Sequence, residues 1–111
     1  MKTFLKSKIH RARVTSTNPD YIGSIVVDGF LLEKAGIQKY EKVLVENVFT
    51  GKQWETYILP GEKFMVSVRG AGSHLCKVGD VLTILSFNQA EMPIEPLIVQ
   101  VDKDNKFEKM L

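Results

Sequence analysis

The sequence predicts a mainly β domain, because short runs of alternating β-branched residues recur along it with turn residues between them. Val43 and Val45 alternate with polar residues, and Val99 and Val101 do so near the other end. Only one short stretch has helical spacing. A chain of 111 residues can bury one core, so we expect a single domain over residues 1–111.

The elements follow from local signals. Asp28 is placed to cap a helix that Gly36 ends. Thr50-Gly51 marks a tight turn between two strands, and from Phe107 onward the pattern favours neither helix nor strand. In chain order we expect one or two strands over 2–17, a turn at 18–20, a buried strand over 25–27, a helix over 30–35, a hairpin of strands over 43–48 and 54–59, and strands over 64–68, 81–87 and 97–101.

Two segments of the chain have similar residue patterns. Residues 40–45 and 78–84 both follow a short helical or turn stretch and both pass from a charged turn into a strand. Such an internal similarity suggests a barrel built from two similar halves, although a strand after a charged turn also arises by chance. Many short strands with few helices favour a mainly β barrel.

Composition excludes several classes of protein. The hydrophobic share of 44% and charged share of 25% are typical of a globular domain. No apolar run approaches the roughly 20 residues that cross a bilayer, and residues 1–8 lack the features of a signal peptide, so we expect a cytoplasmic protein without a membrane partner. The net charge of +2 is scattered, and no aromatic platform accompanies it, which argues against a nucleic-acid partner.

Cysteine and histidine offer no metal site. Cys76 is the single cysteine, and His10 and His74 have no zinc-site spacing, so we expect neither a disulfide nor a bound metal. His74 and Cys76 are two residues apart in a predicted turn without an orienting third group. We therefore expect both to be packing residues rather than a catalytic dyad.

Two predicted strands present chemically useful faces. Lys8 and His10 leave the same face of their strand, so a cation and a titratable ring share one wall, although both can equally be solvent-facing residues. On the 54–59 strand, Gln53, Glu55 and Tyr57 share one face, and Trp54, Thr56 and Ile58 share the other. Trp54 and Ile58 are expected in the core.

Gly23 and Ser24 form a candidate self-cleavage site. Gly23 can adopt backbone angles that other residues avoid, so it can hold the next peptide bond in a strained geometry. The Ser24 hydroxyl can then turn back onto the Gly23 carbonyl. A Gly-Ser dipeptide is also common in ordinary turns, and the dipeptide alone does not decide between the two.

The surrounding residues resemble the aspartate 1-decarboxylase family, whose members depend on a pyruvoyl group, over nearly the whole chain up to about Phe87. The matching segments are residues 8–11, 21–25, 51–52, 56–57, 70–71 and 78–80. This resemblance implies a six-stranded double-psi β-barrel with short helices. It also implies a homotetramer with active sites between neighbouring subunits.

The resemblance implies that the chain matures by cutting itself. The Ser24 hydroxyl attacks the Gly23 carbonyl, the resulting ester breaks by β-elimination, and the dehydroalanine hydrolyses to a pyruvoyl group. Residues 1–23 become the β chain and residues 24–111 the α chain. Thr56 matches the threonine that activates the scissile carbonyl.

The activity implied is decarboxylation of L-aspartate to β-alanine and CO2, which serves pantothenate and coenzyme A synthesis. No side chain can accept the electron pair that a departing carboxylate leaves, so an electron sink is required. The pyruvoyl derived from Ser24 forms a Schiff base with the substrate, and Tyr57 matches the proton donor. Substrate-binding positions are implied at Lys8, His10, Tyr21, Gln53, Thr56, Arg69, Gly70 and Ala71.

Two positions depart from the family pattern. Gln53 stands where the family usually has an arginine that grips a substrate carboxylate, and Arg69 stands where it usually has asparagine. Our hypothesis is that Arg69 restores the lost guanidinium from a neighbouring strand. The alternative is an exposed Arg69 in an inactive relative that acts as a binding protein, or in an enzyme that decarboxylates another acidic amino acid.

Overall fold

The computed structural model describes all of residues 1–111 and contains nine strands, one α-helix and one 3₁₀ helix. The strands are β1 (Lys2–Arg13), β2 (Ser16–Asn18), β3 (Ser24–Asp28), β4 (Lys42–Asn47), β5 (Gln53–Gly61), β6 (Val66–Arg69), β7 (Val81–Ala90), β8 (Leu97–Val101) and β9 (Phe107–Met110). The helices are α1 (Gly29–Ala35) and the 3₁₀ helix Gly70–Leu75. No helix is long and apolar enough to cross a membrane.

The nine strands form one sheet in the order β2-β6-β3-β5-β4-β7-β1-β8-β9. The prediction of a mainly β protein is confirmed. The predicted six-stranded barrel is not confirmed, since the sheet has nine strands and is not closed. The difference arises because residues 2–17 form two strands with different partners and because β9, which the pattern left undecided, pairs antiparallel with β8.

Residues 14 and 15 connect the two sides of this sheet. The Val14 N–H donates to the Asp80 carbonyl at 2.9 Å, and the Thr15 N–H donates to the Val66 carbonyl at 2.8 Å. The chain therefore leaves β1, which pairs with β7, and enters β2, which pairs with β6. The sheet curls so that one face encloses the core.

The core lies on the inner face of the sheet. Val45, Ile84, Ile9 and Val99 lie side by side across β4, β7, β1 and β8, and all four are fully buried. Burying each such side chain contributes about 1.5–3 kcal/mol. This row fixes which residues of each strand point outward.

Helix α1 confirms the sequence prediction at both ends. The Asp28 carboxylate accepts the Phe30 N–H at 2.8 Å, and Gly36 adopts a left-handed conformation with φ of 67°. Leu31 and Leu32 are buried on the core side. Asp28 also accepts the Phe64 N–H at 2.8 Å, which ties the start of the helix to the loop before β6.

Three strand boundaries differ from the predictions by two residues or more, and one is the end of β7, which continues to Ala90 instead of residue 87. Phe64 was expected in a strand, but it lies in a turn with φ of 66°, and β6 begins at Val66. The strand β5 continues through Pro60 to Gly61 instead of ending before them. Pro60 has no N–H to donate. At this position the donor would point toward β4, which no longer pairs with β5 there, so no hydrogen bond of the sheet is lost.

Candidate active site

Ser24 is the first residue of β3 and is almost completely buried, with 1% of its surface exposed. Its hydroxyl Oγ has no hydrogen-bond partner. A buried polar atom left unpaired costs about 1–3 kcal/mol, so such atoms are few in folded proteins. The predicted use of glycine-only backbone angles at Gly23 is not seen, since its φ lies outside the left-handed region. The unengaged hydroxyl next to the Gly23 peptide is nevertheless free to act as a nucleophile.

Gly70 lies directly against the Gly23 backbone. A Cβ placed on Gly70 would be 2.4 Å from the Gly23 Cα, 2.8 Å from the Gly23 nitrogen and 3.3 Å from the Tyr21 carbonyl oxygen. Gly70 also has φ of 79°, a left-handed conformation that favours glycine. Only a residue without a side chain allows the start of the 3₁₀ helix to approach the Gly23 backbone this closely.

The strand register brings Arg69, Ser24 and Tyr57 to one face of the sheet. Ser24 pairs with Arg69 across the antiparallel β3–β6 ladder. Next along these strands, the buried Ile25 pairs with Val68 and with Ile58. Continuing the parallel register by one residue beyond Ile25 and Ile58 sets Ser24 level with Tyr57. Because alternate residues face opposite ways, these three side chains leave the face opposite the core, with neighbouring Cβ atoms about 5 Å apart.

Arg69 lies half-buried over the Tyr21 ring, with its guanidinium carbon 5.0 Å from the ring centroid. The ion pairs of the chain join Met1 to Glu91, Lys6 to Glu41 and Lys42 to Glu55, and none includes Arg69. The Tyr21 ring therefore orients a guanidinium that has no carboxylate partner.

Thr56 and Tyr57 lie on opposite faces of β5. Thr56 shares its face with Trp54, which packs on the core. An open hollow of about 360 Å³ is lined by Lys42, Glu55, Thr56 and Tyr57. A small molecule can therefore reach Tyr57 from outside.

Gln53 is exposed at the start of β5, and its amide donates to the Glu46 carboxylate across the β4–β5 ladder. The Gln53 amide is therefore bound to a carboxylate of its own chain. Gln53 therefore supplies no cation, and its donor group already has an acceptor.

Lys8 and His10 share the outer face of β1 as predicted, with Ile9 fully buried between them. Within one chain, the strand that carries them does not pair with the strand that Ser24 begins. The strands β5, β4 and β7 lie between β3 and β1, which corresponds to roughly 19 Å along the sheet. Because the sheet curls around its core, outward side chains on distant strands diverge.

Ala71 and His74 are both exposed on the 3₁₀ helix. The prediction that His74 packs is therefore wrong, since its side chain lies on the surface. Cys76 packs against the core, and the pKa of its thiol is raised to about 11 by burial and by the nearby Asp80 carboxylate. A thiol held protonated in this way is a poor nucleophile.

Sequence reasoning missed the groups that hold the far end of the 3₁₀ helix. The buried Asn47 amide donates to the Leu75 carbonyl at 3.0 Å and to the Asp80 carboxylate at 2.9 Å. Gly72 lies against the Trp54 indole, where a Cβ would be 2.6 Å from Nε1. Neither periodicity nor spacing signals these contacts, because they join residues distant in sequence.

Comparison with known proteins identifies the family. The model of the family described as aspartate decarboxylase matches residues 1–108.

The chain belongs to the aspartate decarboxylase family.

Curated aspartate 1-decarboxylases are similar over nearly their whole length. The protein of Campylobacter jejuni strain NCTC 11168 is 47% identical over 97% of this chain and 90% of its own length. The protein of Haloquadratum walsbyi is 43% identical over 92% of this chain and 91% of its own length. The protein of Clostridium botulinum strain ATCC 19397 is 39% identical over 97% of this chain and 90% of its own length. The resemblance predicted from the sequence is confirmed.

Proposed function

We propose that this chain decarboxylates L-aspartate to β-alanine and CO2 for pantothenate and coenzyme A synthesis, using a pyruvoyl group made from Ser24. Membership of the aspartate decarboxylase family supports this reaction. The observation that carries the assignment to this site is the buried, unpaired Ser24 hydroxyl. It immediately follows Gly23, whose backbone lies too close to Gly70 for a side chain to fit there.

The proposed maturation uses groups of this chain alone. The Ser24 Oγ adds to the Gly23 carbonyl carbon, and the acyl group moves from nitrogen to oxygen. Elimination of the ester leaves Gly23 with a free carboxylate and position 24 as dehydroalanine, which water converts to a pyruvoyl group with release of ammonia. Residues 1–23 and 24–111 then remain as the β and α chains. Thr56, on the strand β5 that pairs with the strand beginning at Ser24, is proposed to polarise the scissile carbonyl.

When present, the pyruvoyl group supplies a carbonyl that accepts the electron pair released by the departing carboxylate. Tyr57 is proposed to donate the proton that the substrate carbon then needs. Its support is the register that sets Tyr57 beside Ser24 and the hollow that leaves it accessible. A phenol O–H can donate a proton to carbon, as this step requires.

Substrate binding is proposed to involve both clusters of predicted residues. Tyr21, Arg69, Gly70 and Ala71 come from the segments next to Ser24. Lys8 and His10 lie on a separate part of the sheet, so a site that includes them requires a second copy of the chain. Apolar neighbours of Lys8, such as Leu85 and Ile98, support burial of this face in an assembly.

We propose that this assembly is a homotetramer in the cytoplasm, and that the family's six-stranded double-psi barrel is contained in the curled sheet. The hydrogen bonds from Val14 and Thr15, which connect its two sides, support the second point. The alternative of a shifted acidic substrate is favoured by one observation: Gln53, where a cation is usual in the family, is neutral and bound to Glu46.

Mass spectrometry and a β-alanine assay test the proposal. Wild-type protein is expected as two fragments, of residues 1–23 and 24–111, with a carbonyl that reacts with hydrazine. Ser24→Ala is expected as one intact, inactive chain. Tyr57→Phe is expected to cleave normally but to form β-alanine at least about 100-fold more slowly.

Tyr40→Phe is the matched control, because Tyr40 is 67% exposed and lies outside the site. It is expected to cleave and react like the wild type. Wild-type protein that stays intact, or that is cleaved but produces no β-alanine from aspartate, would contradict the proposed function.

A further inference from the structure

We infer that Arg69 binds the side-chain carboxylate of the substrate and thereby selects a dicarboxylic amino acid. This inference rests on the proposed function and adds to it the residue that recognises the substrate. It identifies the ligand chemistry as a carboxylate one or two carbons beyond the amino-bearing carbon.

Position is the first support. Arg69 is the cross-strand partner of Ser24 and leaves the same face of the sheet. Directly opposed residues have Cβ atoms about 5 Å apart, and an extended arginine reaches farther than that. A substrate joined through its amine to the group at position 24 would therefore have its remaining carboxylates within reach of the Arg69 guanidinium.

Orientation is the second support. The Arg69 guanidinium lies 5.0 Å from the centroid of the Tyr21 ring. The guanidinium lies over the ring, and no hydrogen bond within the chain uses its N–H groups, so they remain free to donate. A planar donor with free N–H groups suits a carboxylate, which it can bind through two parallel hydrogen bonds.

Availability is the third support. The other cation near Tyr57, Lys42, already pairs with Glu55 at 2.9 Å. Arg69 pairs with no carboxylate of the chain, although it is partly buried. A buried or half-buried charge normally has a partner, so this guanidinium is set to receive an anion from outside the chain.

The chemistry of the reaction decides which carboxylate Arg69 holds. The α-carboxylate must lose its charge as it leaves as CO2, so a cation bound to it would stabilise the reactant more than the transition state. A cation bound to the side-chain carboxylate keeps its interaction throughout the reaction. An anchor of this second kind improves binding without slowing the loss of CO2.

Steady-state kinetics tests the inference with Arg69→Gln and Arg69→Lys. Loss of a charged hydrogen-bonded contact corresponds to about a 10–100-fold change in affinity. We expect Arg69→Gln to raise KM for aspartate by that factor with a smaller change in kcat. Arg69→Lys, which keeps the charge but not the paired geometry, should lie between it and the wild type. Lys109→Gln, which removes an exposed cation on β9, is the control and should leave both constants unchanged.

A binding measurement separates recognition from catalysis. In the Ser24→Ala background, which cannot form the pyruvoyl group, succinate binding is measured by calorimetry with and without Arg69→Gln. We expect Arg69→Gln to weaken binding by the same 10–100-fold. Equal or undetectable binding in the two proteins would overturn the inference.

The kinetic outcomes also separate the inference from the proposed function. An active, normally cleaved Arg69→Gln enzyme with an unchanged KM overturns the role of Arg69 and leaves the proposed function intact. A wild-type protein that forms no β-alanine overturns the proposed function itself. Impaired cleavage in both Arg69 variants, with unchanged KM in the cleaved fraction, would make Arg69 a maturation residue and overturn the inference.

Discussion

Replacing Gly70 by alanine should be unusually damaging, because two separate penalties coincide there. The left-handed backbone, with φ of 79°, costs a residue with a side chain about 1–2 kcal/mol. The new Cβ would also overlap the Gly23 Cα at 2.4 Å and the Gly23 nitrogen at 2.8 Å, both of them backbone atoms that cannot rotate away. Overpacking of this kind adds about 1–3 kcal/mol.

Gly51→Ala is a matched control that isolates the second penalty. Gly51 has φ of 76°, but no atom lies within 4 Å of its ideal Cβ. We therefore expect about 1–2 kcal/mol for Gly51→Ala and about 2–5 kcal/mol for Gly70→Ala. For a chain of this size, the difference corresponds to a Tm that is roughly 4–13 °C lower in Gly70→Ala.

Both variants are melted in the Ser24→Ala background, so that intact chains are compared, and the melting is followed by circular dichroism. In the Ser24 background, fragment masses are followed over time, and Gly70→Ala is expected to slow cleavage after Gly23 while Gly51→Ala does not. Equal Tm values for the two variants would refute the argument from close contact. Normal cleavage in a destabilised Gly70→Ala protein would show that the contact serves stability alone.

Three further outcomes follow from the contacts around the 3₁₀ helix. Gly72→Ala should shift the emission of Trp54, the only tryptophan, because its Cβ would lie 2.6 Å from the indole Nε1; an unchanged spectrum would contradict this packing. Asn47→Ala should lower the free energy of unfolding by about 1–3 kcal/mol, whereas Asn88→Ala, at an exposed position, should leave it unchanged. Equal free energies of unfolding for the two variants in denaturant titrations would refute the role of the buried amide. The pKa of Cys76 is raised to about 11 in the folded chain, so the thiol of the unfolded chain ionises first as pH rises. The free energy of unfolding should therefore fall between about pH 9 and pH 11. A Cys76→Ala variant whose free energy of unfolding falls equally steeply with pH would exclude this group.

Local signals in the sequence predicted local structure well. Asp28 and Gly36 fixed both ends of α1, because capping depends on a few neighbouring backbone groups. The two-residue spacing of Lys8 and His10 predicted that they share one face of β1, since a strand has only two faces. The resemblance to aspartate decarboxylases, confirmed by comparison, added the identity of the candidate site.

Properties that depend on strand order could not be predicted. Lys8 and Ser24 lie on strands separated by three others, and no feature of either segment encodes that separation. The pairing of Arg69 with Ser24 likewise arises from a ladder between segments more than forty residues apart. Phe64 lies in a turn although its spacing from Val66 and Val68 is that of a strand, because its backbone N–H donates to the Asp28 carboxylate.

The place of β1 in the sheet determines what cleavage after Gly23 would do to folding. β1 is an interior strand, paired with β7 on one side and β8 on the other, so the short fragment would stay attached through main-chain hydrogen bonds although no covalent link remained. Once unfolded, however, the two pieces would have to find each other in solution, and recovery would depend on protein concentration. An uncut precursor would refold at a rate independent of dilution, so folding is expected to come first and bond scission afterwards.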